Sequence, residues 1–343
     1  MAPMTRSRAT GNTPGELHVE YYTQRAGAGL IITEGTSPSA NGIGYARTPG
    51  IFSAGQAEAW KKVTGPIHQQ GGKIFVQLMH VGRIAHPHNM IGGTSILAPS
   101  AVTPDVQMWT DQAGLQAVPT PKAMNADELQ QIINDYVNAA GLALEAGFDG
   151  IEIHAANGYL PEQFLNARTN TRTDDYGGSS ENRNRFALEL VRQISNRIGR
   201  ERTGIRISPF STYNDMPVYD EVTEQYEHLA LKLNELSPAY IHVVEYAARG
   251  HEEGRNLLKS IRTLFNGVLI ANGGYTLQMA MEKLEKGEAD LISFGTPFIS
   301  NPDLPYRLKH QLPLTGPNAE LFYTPGEKGY TDYPVAENQL SFG

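Results

Sequence analysis

Cysteine is absent from the 343 residues of the sequence. Disulfides, iron–sulfur clusters, zinc sites built from thiolates and cysteine nucleophiles are therefore excluded. Lysine and arginine form no dense block, and the formal net charge is −8, so neither a nucleic acid nor an anionic membrane is suggested as a partner. No apolar run approaches the length of a membrane span, and the opening MAPMTRSRAT is too polar for a signal peptide. We expect a cytoplasmic protein.

What is present is typical of a globular enzyme. Hydrophobic residues make up 40% of the chain and charged residues 19%. The length allows one large domain or two ordinary ones, each with a sizeable core. No linker, internal repeat or low-complexity segment divides the sequence, so we predict a single domain over residues 1–343, with residues 335–343 as a tail.

Short apolar segments alternate with longer stretches of helical periodicity. Most of the short segments are nearly continuous in apolar residues, which is typical of parallel strands covered on both faces. The predicted strands are 29–35, 73–80, 150–156, 203–209, 240–245, 268–274 and 291–298. Amphipathic helices are predicted over 127–147, 181–199 and 276–287, and the last two end at glycine.

This alternation predicts an α/β fold. With an eighth strand at residues 1–6, the chain would close into a TIM (β/α)8 barrel. The alternative is an open doubly wound sheet, but no G-x-G-x-x-G follows an early strand. Residues 81–126 form a long excursion rich in glycine and proline after the strand at 73–80, and we interpret it as a lid on the catalytic side.

Active sites of TIM barrels lie at the carboxyl ends of the strands. Polar residues and glycines at those positions are therefore the candidates for function. In chain order they are Thr5, Glu34, Gly35, Gln77, His80, His154, Asn157, Tyr159, Arg206, Glu245, Asn272, Gly273, Gly274, Gly295 and Thr296.

Several chemistries can be tested against these strand ends. None of them carries the lysine that a Schiff-base aldolase needs. His80, His154, Glu34 and Glu245 are scattered and no H-E-x-x-H occurs, which disfavours a metal hydrolase. Glu34 and Glu245 leave a glycosidase open, because that reaction needs two carboxylates facing the substrate.

The other donors at the strand ends, Thr5, Gln77, His154, Asn157 and Arg206, are neutral or cationic. Such a set suits a planar ring that forms many hydrogen bonds and tends to carry negative charge. The glycine-containing turns after the last two strands match the phosphate-binding position of the barrel. A ring joined to a phosphate describes FMN, which we predict as the ligand. A structural ion pair or water site is the alternative for Gln77 and Arg206.

Several stretches carry a family resemblance. MAPMTRSRA, FVQLMHVGR, GFDGIEIHAANGYLPEQFL, RISP and SFGTPFISNPDLPYRL occur in this order. With them the chain resembles the Old Yellow Enzyme family of FMN-dependent ene-reductases, in its N-ethylmaleimide reductase branch, over residues 1–334. The resemblance implies that NADPH or NADH first reduces FMN and leaves. An α,β-unsaturated carbonyl compound, such as an enone or maleimide, is then reduced in the same site. Two alternatives stay open: a reductase of nitro compounds and nitrate esters, or a catalytically weak FMN-binding barrel.

The resemblance also implies which residues hold the cofactor. Thr5, Gln77 and Arg206 are expected to form hydrogen bonds with the flavin ring, and Pro3, Met4 and Gly35 to line it with backbone. Gly273, Gly274, Gly295 and Thr296 are expected to hold the phosphate. Relatives mostly have arginine in place of Thr296, so we expect a lost charge-assisted bond and weaker FMN binding.

The catalytic roles follow from the same resemblance. His154 and Asn157 are expected to donate to the carbonyl oxygen of the substrate, and Tyr159 to protonate its α-carbon. Tyr330 is expected to close the pocket. Met79 replaces the tryptophan of many relatives, which would widen the pocket. Neither a metal, a nucleic acid nor a membrane is implied, and the protein is expected to be a monomer or homodimer.

The start of the chain is the second departure from the family. Met1 falls within the first barrel strand of the relatives, so we expect a shortened N-terminus. The expected consequences are lower stability and poorer retention of FMN.

Overall fold

The computed structural model describes residues 1–336. Seven parallel strands form a curled sheet in the order β1-β2-β7-β8-β9-β10-β11. These strands are β1 (Ile31–Ile32), β2 (Ile74–Leu78), β7 (Gly150–Ala155), β8 (Thr203–Ile207), β9 (Tyr240–Val244), β10 (Val268–Asn272) and β11 (Leu291–Ile292). All seven predicted strands are present. The predicted tail, 335–343, lies outside the described residues from residue 337 onward.

Helices connect the strands and cover the outside of the sheet. They are α1 (Glu16–Thr23), α2 (Ala54–Gln69), α3 (Ala126–Glu145), α4 (Leu160–Leu165), α5 (Ser180–Ile198), α6 (Val222–Leu236), α7 (Tyr246–Arg249), α8 (Glu252–Leu264), α9 (Leu277–Glu285), α10 (Thr296–Ser300) and α11 (Leu304–Lys309). Short 3₁₀ turns occur at Thr10–Asn12, Ala40–Gly42, Pro87–Asn89, Arg200–Arg202 and Ala319–Leu321. Among residues 1–336, no helix is both long and apolar enough to cross a bilayer.

The first two residues bridge the open edges of the sheet. The amino group of Met1 donates to the carbonyl oxygen of Leu30 (2.7 Å), and the amide of Ile32 donates to that of Met1 (3.1 Å). On the other side, the amide of Ala2 donates to the carbonyl oxygen of Phe294 (2.9 Å). Residues 1–2 therefore occupy the eighth strand position, within the segment 1–6 that the sequence predicted.

Side chains alternate between the two faces of the strands, as the pleat requires. The outward residues, such as Val76, Ile151 and Ile153, are fully buried in the main hydrophobic core together with the helices. Inside the curl, Phe75 and Tyr240 pack with a small apolar cluster at the amino ends of the strands. Polar side chains fill the carboxyl ends, so the interior changes from apolar to polar along the barrel axis.

The excursion at residues 81–126 has secondary structure of its own. β4 (Gln107–Thr110) and β5 (Gly114–Ala117) form an antiparallel hairpin. β3 (Leu97–Ala98) and β6 (Lys122–Ala123) pair in parallel across its base. The lid interpretation of this segment stays a prediction.

Gly150 provides a test of the packing at the start of β7. A Cβ there would lie 2.5 Å from both the carbonyl oxygen of Arg202 and the ring of Phe75. We expect Gly150→Ala to lower the free energy of unfolding by about 1–3 kcal/mol, as overpacking does, measured by urea denaturation. Gly65, inside α2, has nothing within 4 Å of such a Cβ. Gly65→Ala is the control and should be neutral or stabilising by about 0.5–1 kcal/mol. Equal effects of the two substitutions would contradict this account.

Candidate active site

A cavity of about 400 Å³ opens at the carboxyl ends of the strands. Three groups of residues line it. The interior of the barrel contributes Gln77, His154 and Arg206, the segment before β1 contributes Pro3, Thr5 and Ser7, and the loop after β7 contributes Asn157 and Tyr159. The outer walls come from Tyr45, Ala46, Arg47, Met79, Gln107, Met108, Trp109, Tyr213 and Tyr323. The structure thus brings together residues that the sequence analysis assigned to flavin ring and substrate.

A continuous hydrogen-bonded row inside the barrel forms the floor of this cavity. Its centre is Glu152, which is fully buried and accepts from Gln77 Nε2 (2.8 Å). His242 Nδ1 lies 2.8 Å from the other carboxylate oxygen of Glu152, and its Nε2 lies 2.7 Å from Ser293 Oγ. Because burial lowers the pKa of His242 to about 4, the ring is neutral. It then donates to Glu152 and accepts from Ser293.

The row continues on the far side of Ser293. Asn272 Nδ2 donates to Ser293 Oγ (2.9 Å), and Arg206 Nη2 donates to Asn272 Oδ1 (2.9 Å). Burial acts to raise the pKa of Glu152, but His242, Arg206 and Gln77 together lower it below its usual value. The carboxylate is therefore ionised, and it balances the charge of Arg206 in the floor.

Two buried nitrogen atoms above this floor have no hydrogen-bond partner among the described residues. They are Nδ1 of His154 and Nε of Arg206. Burial, followed by the positive charge of Arg206, lowers the pKa of His154 well below its ordinary value, so this imidazole is neutral. Polar atoms buried without partners are unfavourable. We therefore expect a hydrogen-bonding ligand in the cavity.

The turn after β7 aims Asn157 and Tyr159 into the cavity. Asn157 (φ 57°) and Gly158 (φ 77°) both adopt the left-handed conformation, which asparagine and glycine tolerate best. A Cβ at Gly158 would also meet the carbonyl oxygen of Tyr213 at 2.8 Å. Glu162 in α4 fixes the turn by accepting from the amide of Gly158 and from Ser208 Oγ (2.6 Å). The crowded His-Ala-Ala-Asn-Gly-Tyr sequence is thus a device for presenting three polar side chains.

Tyr159 carries a protonated hydroxyl on the wall of the cavity. Burial raises the pKa of its phenol. The hydroxyl donates to Tyr45 Oη (3.1 Å), and the two rings meet edge to face. Its own ring lies 4.9 Å from that of His154, centroid to centroid. Tyr159 is therefore adjacent to the donor His154 and holds a proton at neutral pH.

The cofactor residues predicted at the last two strands lie beyond the floor, at the ends of β10 and β11. Gly273 (φ 141°) and Gly274 (φ 72°) form the turn after β10, and Gly295 and Thr296 begin α10. Met4 packs near Gly295. A Cβ on that glycine would lie 3.5 Å from Met4 Sδ.

Gly35 faces Met79 at the edge of the site. A Cβ on Gly35 would lie 2.4 Å from Met79 Sδ, so glycine is required for the close approach of these two segments. Met79 itself is buried.

The two glutamates that left a glycosidase open do not meet in the site. Glu34 accepts from the amide of Arg6 (3.2 Å) and from Tyr22 Oη (3.4 Å), and burial raises its pKa to about 7. Glu245 pairs with Lys283 (3.1 Å) and accepts from Tyr275 Oη. Neither carboxylate lines the cavity. The arrangement needed for glycoside hydrolysis is therefore absent from it.

Comparison with known proteins agrees with this geometry. Residues 1–315 match the model of the NADH:flavin oxidoreductase / NADH oxidase family. The chain belongs to this family. It is 40% identical to flavin oxidoreductase hxnT of Emericella nidulans, covering 98% of this chain and 93% of the relative. It is also 40% identical to 12-oxophytodienoate reductase 7 of Oryza sativa subsp. japonica, covering 97% and 90%.

Solved structures of this flavin oxidoreductase family show the same fold. The chain superimposes on morphinone reductase with a TM-score of 0.93 at 41% identity, covering 99% of this chain and 92% of that one. With the Old Yellow Enzyme homologue of Zymomonas mobilis the TM-score is 0.94 at 41% identity, covering 98% and 95%. The TIM barrel and the resemblance to the Old Yellow Enzyme family are thereby confirmed. The protein is an FMN-dependent oxidoreductase that uses NAD(P)H, and the unpartnered atoms of His154 and Arg206 fit such a cofactor.

One predicted site residue lies elsewhere. Tyr330, expected to close the pocket, is fully buried and stacks on Tyr21 with ring centroids 4.1 Å apart. The guanidinium groups of Arg6 and Arg8 lie over its ring and fix it there. The aromatic residue from this part of the chain that lines the cavity is Tyr323. The prediction placed the right segment at the pocket but the wrong tyrosine.

The sequence analysis also missed Glu152, His242 and Ser293. A signal for Glu152 was present, because it precedes His154 by two residues and so lies on the same face of β7. Tyr45 and Tyr213 carried no comparable signal, since they lie in loops outside the strands.

Substitution of the two tyrosines separates their roles. The hydroxyl of Tyr330 has no partner among the described residues, so Tyr330→Phe should leave both stability and the KM for NADPH unchanged. Tyr330→Ala should lower the free energy of unfolding by about 3–5 kcal/mol. Tyr323 is 59% exposed; Tyr323→Ala should change stability by less than about 0.5 kcal/mol while raising the KM for NADPH. A raised KM in Tyr330→Phe at unchanged stability would restore the original assignment.

Proposed function

We propose that this protein reduces the carbon–carbon double bond of α,β-unsaturated carbonyl compounds. The observation that carries the proposal is the wall formed by His154, Asn157 and Tyr159, which faces Gln77, Arg206 and Thr5 across one cavity. The names of relatives support the substrate class. They include 12-oxophytodienoate reductase 7 of Oryza sativa subsp. japonica, chanoclavine-I aldehyde reductase fgaOx3 of Penicillium roqueforti at 42% identity, and morphinone reductase.

FMN, when bound, supplies the hydride that it has taken from NAD(P)H. Gln77, Arg206 and Thr5 would hold the ring through hydrogen bonds, with Pro3, Met4 and Gly35 against it. Arg206 would also favour the anionic reduced form, because a positive charge near the ring stabilises that state. The phosphate would lie at Gly273, Gly274, Gly295 and Thr296.

His154 and Asn157 would bind the carbonyl oxygen of the substrate. When hydride adds to the β-carbon, negative charge moves onto this oxygen, and two donors placed there stabilise the enolate. Each such donor contributes roughly 3–4 kcal/mol to lowering the barrier. A neutral His154 suits this role, because it can donate without adding a second positive charge beside Arg206.

Tyr159 would complete the reaction by giving its proton to the α-carbon. The raised pKa of its phenol keeps it protonated at neutral pH, as a general acid must be. The products are the saturated carbonyl compound and a phenolate, which Tyr45 can stabilise through their hydrogen bond (3.1 Å). The alternatives, a nitro-compound reductase and a weakly catalytic FMN-binding barrel, are not favoured by the named relatives.

We also propose that residues 81–126 act as a lid over this cavity. Gln107, Met108 and Trp109 of the β4–β5 hairpin line it. Trp109 is 57% exposed, which leaves a large apolar ring for contact with a substrate. The hairpin is attached to the barrel by an ion pair between Arg47 and Asp111 and by a hydrogen bond from Asn89 Nδ2 to the carbonyl oxygen of Trp109 (2.8 Å).

The organisation of the whole chain is proposed as one domain over residues 1–343. One hydrophobic cluster that extends from Met1 to Tyr330 supports it. A cytoplasmic location and a monomer or homodimer stay predictions.

An absorbance scan under nitrogen tests the proposed reaction. We expect the purified protein to show a flavin spectrum that NADPH bleaches and 2-cyclohexenone restores. Cyclohexanone, which lacks the double bond, is the control and should not restore it. Bleaching without recovery on addition of the enone would contradict ene-reduction, whereas absence of a flavin spectrum even after addition of FMN would contradict the cofactor.

Substitution of the proposed acid separates the two halves of the reaction. Tyr159→Phe should slow oxidation of the reduced enzyme by an enone by about 10²-fold or more. Reduction by NADPH should keep its rate, because hydride transfer to the flavin needs no proton from Tyr159. Stopped-flow absorbance under nitrogen measures both steps.

The matched control for this experiment is Tyr213→Phe, which removes a hydroxyl from another tyrosine of the same cavity. It should leave both steps unchanged. If Tyr159→Phe slowed the two half-reactions equally, Tyr159 would shape the cavity without acting as the acid.

A further inference from the structure

The turn after β10 and the start of α10 form a cluster of unpaired backbone donors. The amides of Gly274, Gly295 and Thr296 donate to no acceptor within residues 1–336. Gly273 and Gly274 have φ angles of 141° and 72°, which side-chain-bearing residues rarely adopt. Backbone amides that converge in this way favour an anion.

A guanidinium group lies directly against this turn. A Cβ on Gly273 would lie 3.3 Å from Nη2 of Arg249, and Nη2 donates to the carbonyl oxygen of Gly273. Arg249 is the last residue of α7, which follows β9, the neighbour of β10 in the sheet. Its guanidinium also lies over the ring of Tyr275, 4.5 Å from the centroid. Sheet pairing and stacking therefore hold this cation at the glycine turn.

The charge of Arg249 has no acidic partner among residues 1–336. Glu245, one turn earlier in the chain, is engaged by Lys283 (3.1 Å) and Tyr275. The Nε atom of Arg249 is buried without any hydrogen-bond partner. A partly buried, unpaired cation is unfavourable unless an anion completes the site.

We infer that Arg249 supplies the positive charge that binds the phosphate of FMN in this protein. The inference rests on the assignment of FMN as the cofactor. Thr296, at the other side of the phosphate position, offers an amide and a hydroxyl but no charge. Lys283 is already paired with Glu245 and lies 3.7 Å from Glu288. Arg249 thus replaces, from the end of β9, a charge that Thr296 cannot provide from the start of α10.

Binding of FMN and of riboflavin to the apoprotein tests this assignment, because riboflavin lacks only the phosphate. Arg249→Gln should raise the Kd of FMN about tenfold or more, as loss of a charge-assisted bond does. The Kd of riboflavin should stay within about twofold. Arg249→Lys should fall between Arg249→Gln and wild type, because it keeps the charge but not the guanidinium geometry.

A second substitution provides a rescue. Thr296→Arg added to Arg249→Gln returns a cation to the same phosphate from the opposite side, so FMN affinity should recover. Lys259→Gln is the matched control. Lys259 is an exposed lysine on α8, and its loss changes the net charge equally without contact with the turn. It should leave both affinities unchanged.

Three results would overturn the inference. An unchanged Kd of FMN in Arg249→Gln would show that Arg249 does not bind the phosphate. An equal loss of FMN and riboflavin affinity, or a lower melting temperature of the apoprotein that Arg249→Lys shares, would show that it only shapes the turn. Wild-type protein that binds no FMN would remove the basis of the inference. Enone turnover plays no part in these readouts, so failure of the proposed activity is detected separately.

Discussion

The structure depends on one buried carboxylate. Glu152 lies inside the barrel with no exposed surface, where an ionised group without partners would be strongly unfavourable. Gln77 on one side and His242 on the other satisfy its two oxygens. Through His242 the same row reaches Ser293, Asn272 and Arg206, so five strands are joined by side chains as well as by backbone. The cavity floor is rigid because none of these side chains can turn without leaving another unsatisfied.

This row also explains the electrostatics of the site. Its formal charges are the carboxylate of Glu152 and the guanidinium of Arg206, which nearly cancel. The imidazoles of His154 and His242 are neutral because burial lowers their pKa. The upper surface therefore offers mostly donors, with the one positive charge at Arg206. Such a surface discriminates by hydrogen-bond geometry and favours ligands that become anionic during reaction.

Much of this arrangement could be predicted from the sequence, and the exceptions have physical causes. Continuous apolar runs identified the seven strands, but β1 and β11 span only two residues each, because their other partners are the two residues 1–2. The strand-end rule located Gln77, His154 and Arg206. It missed the row beneath them, since Gln77 and Glu152 are 75 residues apart and only the register of the sheet brings them together. The choice between Tyr330 and Tyr323 depended on packing in an irregular segment, where no periodicity applies.

The arginines that hold Tyr330 also bind the backbone around it. Arg6 Nη2 donates to the carbonyl oxygen of Gly329 (2.6 Å), 323 positions away, and Arg8 Nη2 donates to that of Leu321 (2.9 Å). Thr5 and Ser7, which line the cavity, alternate with these two residues. During synthesis on the ribosome, the segment that carries Thr5 therefore has to wait for nearly the whole chain before its partners emerge. Contacts of such sequence separation form late in folding, so the flavin pocket is completed by the last part of the barrel to be made.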